Sequence, residues 1–407
     1  MAQLFEEAGY TVVTKGKADI CVVNTCTVTE TGAAKSMKMI RRARRENPNG
    51  VLAVCGCLSQ TEPERIKNSE KVDVLIGNKY RSEIVSLCEA AIEGKSSEQI
   101  EDILKIREFE ELGTVCRQRR IRAEIKIEDG CNNFCTYCKI PYARGPVRSR
   151  NIENIVKEAK RLKESGYSEI VLTGIHIASY GMDLNEEIGL IDVMERVSKA
   201  CGGLRLRLGS IEPKAVTEEF VKRAVKVEGL CPQFHLSLQS GCDKILSLMH
   251  RRYTTSDFET AVKNLRESFA DAAITTDLIV GFPCETEADF EESKGFCERM
   301  QFARMHIFPY SERTGTKATE LEPKVSDADK TRRTAVMLDI AERMRKDFCE
   351  KYKGQTVSVL FEQEKDGMLC GTTENYIDVR VPYADLRGKT ADVKITDYRD
   401  GYIVGGI

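Results

Sequence analysis

Cys131-Asn-Asn-Phe-Cys135-Thr-Tyr-Cys138 places three cysteines within eight residues. Thiolates are the natural ligands of zinc and of iron–sulfur clusters. Structural zinc takes four ligands, often as two separated cysteine pairs, and this loop ends without a fourth cysteine nearby. A cubane cluster needs one ligand per iron, so three thiolates leave one iron open to a substrate or cofactor. Two blander readings stand beside it: three packed cysteines in a loop, or three of four zinc ligands. Two further cysteine sites end apolar runs, Asn24-Thr25-Cys26 and Cys55-Gly56-Cys57. The chain of 407 residues holds sixteen cysteines. Its opening, MAQLFEEAGY, is acidic and amphipathic rather than secretory. A cytoplasmic location follows as the expectation. Stable disulfides are rare there, so metal or redox work is expected of some cysteines. The others read as small buried hydrophobes.

The elements that must carry these residues come next. Residues 1–95, within a first domain placed at 1–105, alternate strand-like and helix-like segments: DICVVN, a basic helix over 35–45, strands at 51–54 and 72–76, and a helix over 82–92. Such alternation implies an open, mostly parallel sheet, with ligands at the carboxyl ends of its strands. Residues 95–119 read as a polar, partly helical connector. Over 117–349, six strand candidates at 123–127, 169–173, 204–208, 234–238, 274–280 and 304–308 alternate with helical patterns. Asn151 is an expected N-cap, and Ser256 to Glu259 has the form of a capping box. Six βα units are short of the eight of a full barrel, and the site is expected at the strand C-terminal face. A long charged helix is expected over 325–352. Residues 350–407 then carry five short strands separated by turn residues, a small all-β barrel. No apolar run reaches the roughly 18–20 residues of a membrane span. A net charge of −2, from 62 Lys and Arg against 64 Asp and Glu, excludes a uniformly basic coat but not a local basic face.

The C-x3-C-x2-C loop, with Tyr137 before its last cysteine, resembles the radical S-adenosylmethionine (SAM) superfamily. EDGCNNFCTYCKIPYARGPVRSR, LTGIHIASYG, HLSLQSGCDKILSLMHRRYT, TTDLIVGFPCETEADF and HIFPYSERTGT narrow the resemblance to the methylthiotransferases. Within that family the NNFCTYC loop and TGIHIASYG look most like the enzymes that modify N6-threonylcarbamoyladenosine in tRNA. The resemblance implies a flavodoxin-like N-terminal domain, a radical-SAM (βα)6 partial barrel and a C-terminal TRAM barrel. It implies that Cys131, Cys135 and Cys138 hold a 4Fe-4S cluster whose open iron binds SAM, the source of a 5′-deoxyadenosyl radical. Tyr137, Thr173, Gly174, His176, Ser237, Gln239 and Gly281 fall at the positions that would contact SAM. For His176 a packed histidine, and for Gly281 a plain turn, are the alternatives. The family also uses a second 4Fe-4S cluster with three N-terminal cysteines. Cys26 and Cys57 match two of them. The first belongs to a motif ahead of the opening helix, so the N-terminal domain is expected to be truncated, lacking its first strand and first cysteine, and its cluster to be incomplete. Cys21 and Cys55 could substitute but read as buried strand cysteines.

The implied reaction is methylthiolation at C2 of threonylcarbamoyladenosine-37 in tRNA, with the anticodon stem-loop as substrate and an electron donor and a sulfur source as partners. No membrane partner is expected, and the chain is expected to be a monomer. Rival readings are a sister methylthiotransferase acting on isopentenyladenosine tRNA or a ribosomal-protein aspartate, and a non-catalytic RNA-binding iron–sulfur protein. Arg144, Arg148 and Arg150, with Arg117, Arg119, Arg120 and Arg122, crowd the cysteine loop in sequence and are expected to face RNA phosphates. Lys35, Lys38, Arg41, Arg42, Arg44 and Arg45 form a second basic stretch, with a solvated helix face as its alternative.

Overall fold

The computed structural model describes residues 1–113 and 121–407. The expected domain start at residue 117, with Arg117, Arg119 and Arg120, lies outside the described residues. Two compact units divide the chain. One joins residues 1–113 to Asp129–Arg148 and Ser311–Glu320; the other joins residues 121–128 to Ser149–Tyr310 and Leu321–Ile407. The cysteine loop, assigned by sequence order to the middle domain, therefore packs with the N-terminal part.

The first unit is built on a parallel sheet of four strands in sequence order, β1 (Ile20–Thr25), β2 (Val51–Gly56), β3 (Val74–Ile76) and β4 (Ser97–Gln99). Every residue of β2 is buried, as expected of an apolar run covered on both faces. Its side chains alternate between two cores. Leu52 and Val54 join Val23, Ile40 and Leu58 on one face; Val51, Ala53 and Cys55 join Ile84 and Cys88 on the other. The basic helix runs over Glu30–Glu46, with the Thr29 side chain capping the Gly32 N–H. Strand β4 corrects the reading of residues 95–119 as a connector. Ser-Glu-Gln has no apolar alternation to signal a strand. Its backbone pairs with β3 all the same, from Val74–Ser97 to Ile76–Gln99.

The second unit holds six parallel strands, β5 (Arg122–Lys126), β6 (Glu169–Thr173), β7 (Arg205–Leu208), β8 (Gln233–Leu236), β9 (Ala273–Val280) and β10 (Arg304–Pro309). β5, β6 and β7 pair in that order. Ser210–Ile211, just past β7, begins a second group that continues through β8, β9 and β10. Helices between the strands bury one apolar face each against this sheet: Ile152, Ile155, Ala159 and Leu162 on helix Ile152–Glu164 belong to the same core as Ile125, Leu172, Leu206 and Phe234. Asn151 caps that helix through the Glu153 and Asn154 amides. The next expected cap shifts by two residues. Thr254, not Ser256, caps helix Thr255–Ser268, and Asp257 is the reciprocal partner of the capping box. A long helix, Asp327–Glu350, leads to a closed barrel of β11 (Thr356–Lys365), β12 (Met368–Thr373), β13 (Asp378–Pro382), β14 (Thr390–Arg399) and β15 (Tyr402–Gly406), paired in the order β11-β12-β13-β15-β14. Val359, Phe361, Val379, Val381 and Val393 fill its interior. Among the described residues no helix is long and apolar enough to cross a membrane.

Candidate cysteine centres and cofactor-binding strand ends

The chain leaves β5 and turns into the cysteine loop at Gly130. Gly130 has φ +92°, and a Cβ there would run into the carbonyl oxygen of Pro146. Only glycine meets both demands at no steric cost. The loop is tied down by its own backbone: the Cys131 amide donates to Gly145 O at 3.0 Å, and the Cys138 amide donates to Cys135 O at 3.0 Å. Asn132 holds the returning strand through Oδ1, which accepts from the Val147 amide at 3.2 Å. The segment Ser311–Glu320 clamps the loop from another side, with the Ala318 amide on Thr136 O at 2.9 Å. Tyr137, half-buried, sits in the turn between Cys135 and Cys138.

Two observations test whether these thiols suit a cluster. Backbone amides point at sulfur: Asn133 N–H at Cys131 Sγ, 3.5 Å, and Ile140 N–H at Cys138 Sγ, 3.4 Å. Such donors favour anionic sulfur. Beside them lies a hollow of about 130 Å³ lined by Phe134, Cys135, Thr136, Cys138, Tyr142, Thr316 and Lys317. Among the described residues no three His, Cys, Asp or Glu groups form a single-ion site. The donor set, three cysteine sulfurs in one loop with no fourth cysteine in it, fits a cluster with one ligand per iron and one iron left over.

Sheet register brings Cys26 and Cys57 to the same strand edge. Thr25 pairs with Gly56 across β1 and β2. The two cysteines are therefore the next residues on neighbouring strands, at the carboxyl edge where open α/β sheets bind ligands. Cys26 is exposed, and its Sγ accepts from the Val28 amide at 3.4 Å. Cys57 is buried at the start of helix Cys57–Thr61. Arg144 Nε reaches its sulfur at 3.2 Å and Asn78 Nδ2 at 3.6 Å. The possible substitutes are built differently. Cys55 sits among Phe5, Val51 and Ile76, and burial pushes its thiol up to about 11. Cys21 packs at the margin of the opposite core, and burial raises its pKa as well. Burial also pushes Cys88 and Cys231 up to about 12, and Cys242 and Cys349 up to about 11. A thiol kept protonated is a poor ligand and a good packing atom.

In the second unit, the remaining candidates line successive strand ends. Thr173, Gly174 and His176 follow β6. Glu128, fully buried, accepts the Ile175 and His176 amides on Oε2 at 2.9 and 2.7 Å, and its closeness leaves no room for a side chain at Gly174. His176 is not simply packed. Its Nδ1 contacts Ser179 Oγ, and its Nε2 lies 3.2 Å from Glu212 Oε2. Arg251 reaches the other oxygen of Glu212 at 3.2 Å. Burial pulls the Glu212 carboxyl upward, but the His176 hydrogen bond and the Arg251 charge outweigh it and hold the pKa below the usual carboxylate range. Ser237 follows β8, its amide on Ile211 O at 3.2 Å and its carbonyl receiving Tyr253 OH at 2.5 Å. Gln239 has φ +67° and bridges to β9, donating to Asp277 O and accepting from the Ile279 amide, each at 2.9 Å. Gly281 follows β9, and its amide donates to Glu285 Oε2 at 2.6 Å.

Three family models match the chain: the Radical SAM superfamily over residues 125–297, the TRAM domain over 350–405, and the Uncharacterized protein family UPF0004 over 1–77. The threonylcarbamoyladenosine tRNA methylthiotransferase MtaB of Bacillus subtilis is 37% identical, over 99% of this chain and 92% of its own. The protein of that name in Aquifex aeolicus is 38% identical, over 92% of this chain and 91% of its own. The chain belongs to the radical SAM tRNA methylthiotransferases. The tRNA-2-methylthio-N(6)-dimethylallyladenosine synthase of Clostridium tetani, from the same family, is 36% identical over 94% of this chain and 86% of its own. Among solved structures, the radical SAM methyltransferase TsrM of Kitasatospora setae shares the fold, with a TM-score of 0.54 and 14% identity over 75% of this chain and 64% of that one.

Seen in this methylthiotransferase, the arginines expected to face phosphate need correction. Arg148 and Arg150 are only 3% and 6% exposed. Arg148 pairs with Asp129 at 3.4 Å, and Arg150 with Glu158. Arg144 is shared between Cys57 and Asp129. Sequence shows the crowding of positive charge but not the acids and sulfur folded against it. Lys35, Lys38, Arg41, Arg42 and Arg45 of helix Glu30–Glu46 are exposed. Asn78, Glu128 and Glu212 carried no sequence signal, because each works through a partner distant in the chain.

Proposed function

We propose that this methylthiotransferase acts on tRNA at C2 of N6-threonylcarbamoyladenosine-37, in the cytoplasm. The observation that carries the reading is similarity, at 37–38% identity over nearly the whole chain, to relatives named for that substrate, together with a three-cysteine loop in which backbone amides donate to two of the sulfurs. Cys131, Cys135 and Cys138 would hold the SAM-binding cluster, and Cys26 and Cys57 would supply ligands to the second. When bound, the first cluster would supply the one-electron reduction by which SAM is cleaved.

The chain's own residues then position and exclude. Glu128 fixes the turn from Gly174 to His176 by accepting two of its amides, so that the turn can present backbone and imidazole to the amino acid part of SAM. Glu212 orients the imidazole from its far nitrogen. Gln239, held by strand-like bonds on both backbone atoms, would offer its side chain to the ribose or carboxylate, with Ser237 beside it. Gly281 would let the adenine approach backbone. The TRAM barrel and the exposed cations of helix Glu30–Glu46 would hold the anticodon stem-loop. A single-stranded loop suits this work, because an unstacked base can enter a pocket.

Nucleoside analysis of tRNA from a deletion strain tests the assignment. Loss of 2-methylthio-N6-threonylcarbamoyladenosine, restored by the gene, is the expected result. Loss of the 2-methylthio dimethylallyl nucleoside instead would move the substrate to that of the Clostridium tetani relative. Unchanged tRNA would overturn the reading.

A further inference from the structure

Arg144 lies six residues beyond Cys138, at the end of helix Ile140–Arg144. Its Nε donates to Cys57 Sγ at 3.2 Å, while Nη1 faces Asp129 Oδ2 at 3.4 Å. Asn78 fastens the same helix to the same sulfur: its Nδ2 donates to Ala143 O at 2.8 Å and to Cys57 Sγ at 3.6 Å. Asn78 is 2% exposed, and its Oδ1 is buried without a hydrogen-bond partner among the described residues. A cation and an amide thus converge on one buried sulfur.

We propose that Arg144 is a positioning residue for the sulfur of Cys57, which it orients and whose iron–sulfur centre it makes easier to reduce. The inference rests on the reading of Cys57 as a ligand of the second cluster. Reduction adds negative charge to a cluster. A guanidinium at hydrogen-bond distance from a ligand sulfur stabilises the reduced state more than the oxidised one, and hydrogen bonds to sulfur are among the levers that set cluster potentials. The low local dielectric of a buried contact strengthens the effect. Asn78 adds a neutral donor to the same atom. One short helix, carried on the loop of the first centre, would in this way tune the second.

The test uses the full chain, reconstituted anaerobically with iron and sulfide, in a Cys131→Ala/Cys135→Ala/Cys138→Ala background so that only the second centre reports. Redox titration followed by EPR is compared for Arg144, R144K and R144Q. R144Q should lower the equilibrium constant for one-electron reduction at least tenfold, about 59 mV. R144K, which keeps the charge but not the planar fork, should recover part of the shift. Should R144Q lose the centre, N78A reads the same sulfur through its other donor and should give a smaller shift of the same sign. An unchanged potential in both R144Q and N78A would overturn the inference. So would unchanged potentials with weakened tRNA binding, which would return Arg144 to a phosphate role. The underlying reading fails separately: if C57A keeps the iron of the second centre, or if the triple-alanine chain takes up no iron at all, Cys57 is not a cluster ligand in this chain and the inference falls with it.

Discussion

The two cysteine sites of the first unit are made in opposite ways. Cys131, Cys135 and Cys138 come from one loop, closed mainly by hydrogen bonds within Asp129–Arg148, with one distant clamp from the Ala318 amide. Cys26 and Cys57 come from two strand ends and reach one sheet edge because Thr25 pairs with Gly56. The first site is local and carries its own geometry. The second exists only when the sheet has formed, and its buried sulfur is surrounded by groups from elsewhere, Asn78 and Arg144. A local site shows in spacing alone; an assembled one needs register and neighbours before its chemistry can be read.

The sharpest way to test that contrast is to empty each site in turn. Replacing Cys131, Cys135 and Cys138 by alanine should remove about four irons per chain and abolish SAM cleavage while leaving the fold intact. Iron analysis and a cleavage assay under reducing, anaerobic conditions would show it; retained cleavage would break the assignment. Next in size, C57A should abolish methylthiolation and leave SAM cleavage in place. C55A should leave both, because Cys55 is a packed, protonated thiol. Equal loss in the two variants would erase the distinction between ligand and core cysteine.

The local character of the first site makes a structural prediction. G130A must place a Cβ against Pro146 O at φ +92°, at a cost of ~1–3 kcal/mol. Iron retention should fall together with the denaturation midpoint. On the RNA side, replacing Lys35, Lys38, Arg41 and Arg45 by alanine should weaken tRNA binding and flatten its salt dependence, each lost phosphate contact reducing the slope by about 0.7–0.9. R148A, made at a buried residue, should change stability rather than slope. Filter binding across a salt series separates the two.

The smallest effect concerns pH. The carboxyl of Glu212 lies below its ordinary value of 4.5 in the folded protein. Its contribution to stability is therefore fully present above pH 4.5 and is lost as pH falls through the lower folded value. E212Q should be less stable than the parent near neutrality, with the gap closing below that pH. A gap independent of pH in urea titrations would remove His176 and Arg251 as the cause.

Much of the fold was legible beforehand, and the exceptions have physical reasons. Apolar runs such as VLAVCG and strand–helix alternation marked the parallel strands, since burial on both faces demands such runs. Strand β4 escaped because Ser97, Glu98 and Gln99 are polar and are held by backbone pairing. The cap at Thr254 moved by two residues because Asp257, as third helical residue, reaches back to it. Sequence by itself determined the three-cysteine loop, the six βα units and the terminal barrel, because spacing and periodicity are properties of neighbouring residues. Only the tertiary structure decided which cysteines are packing atoms, that Arg148 and Arg150 are spent on buried acids, and that Arg144 and Asn78 converge on Cys57. Those outcomes depend on desolvation and on partners far away in the chain, which no local pattern records.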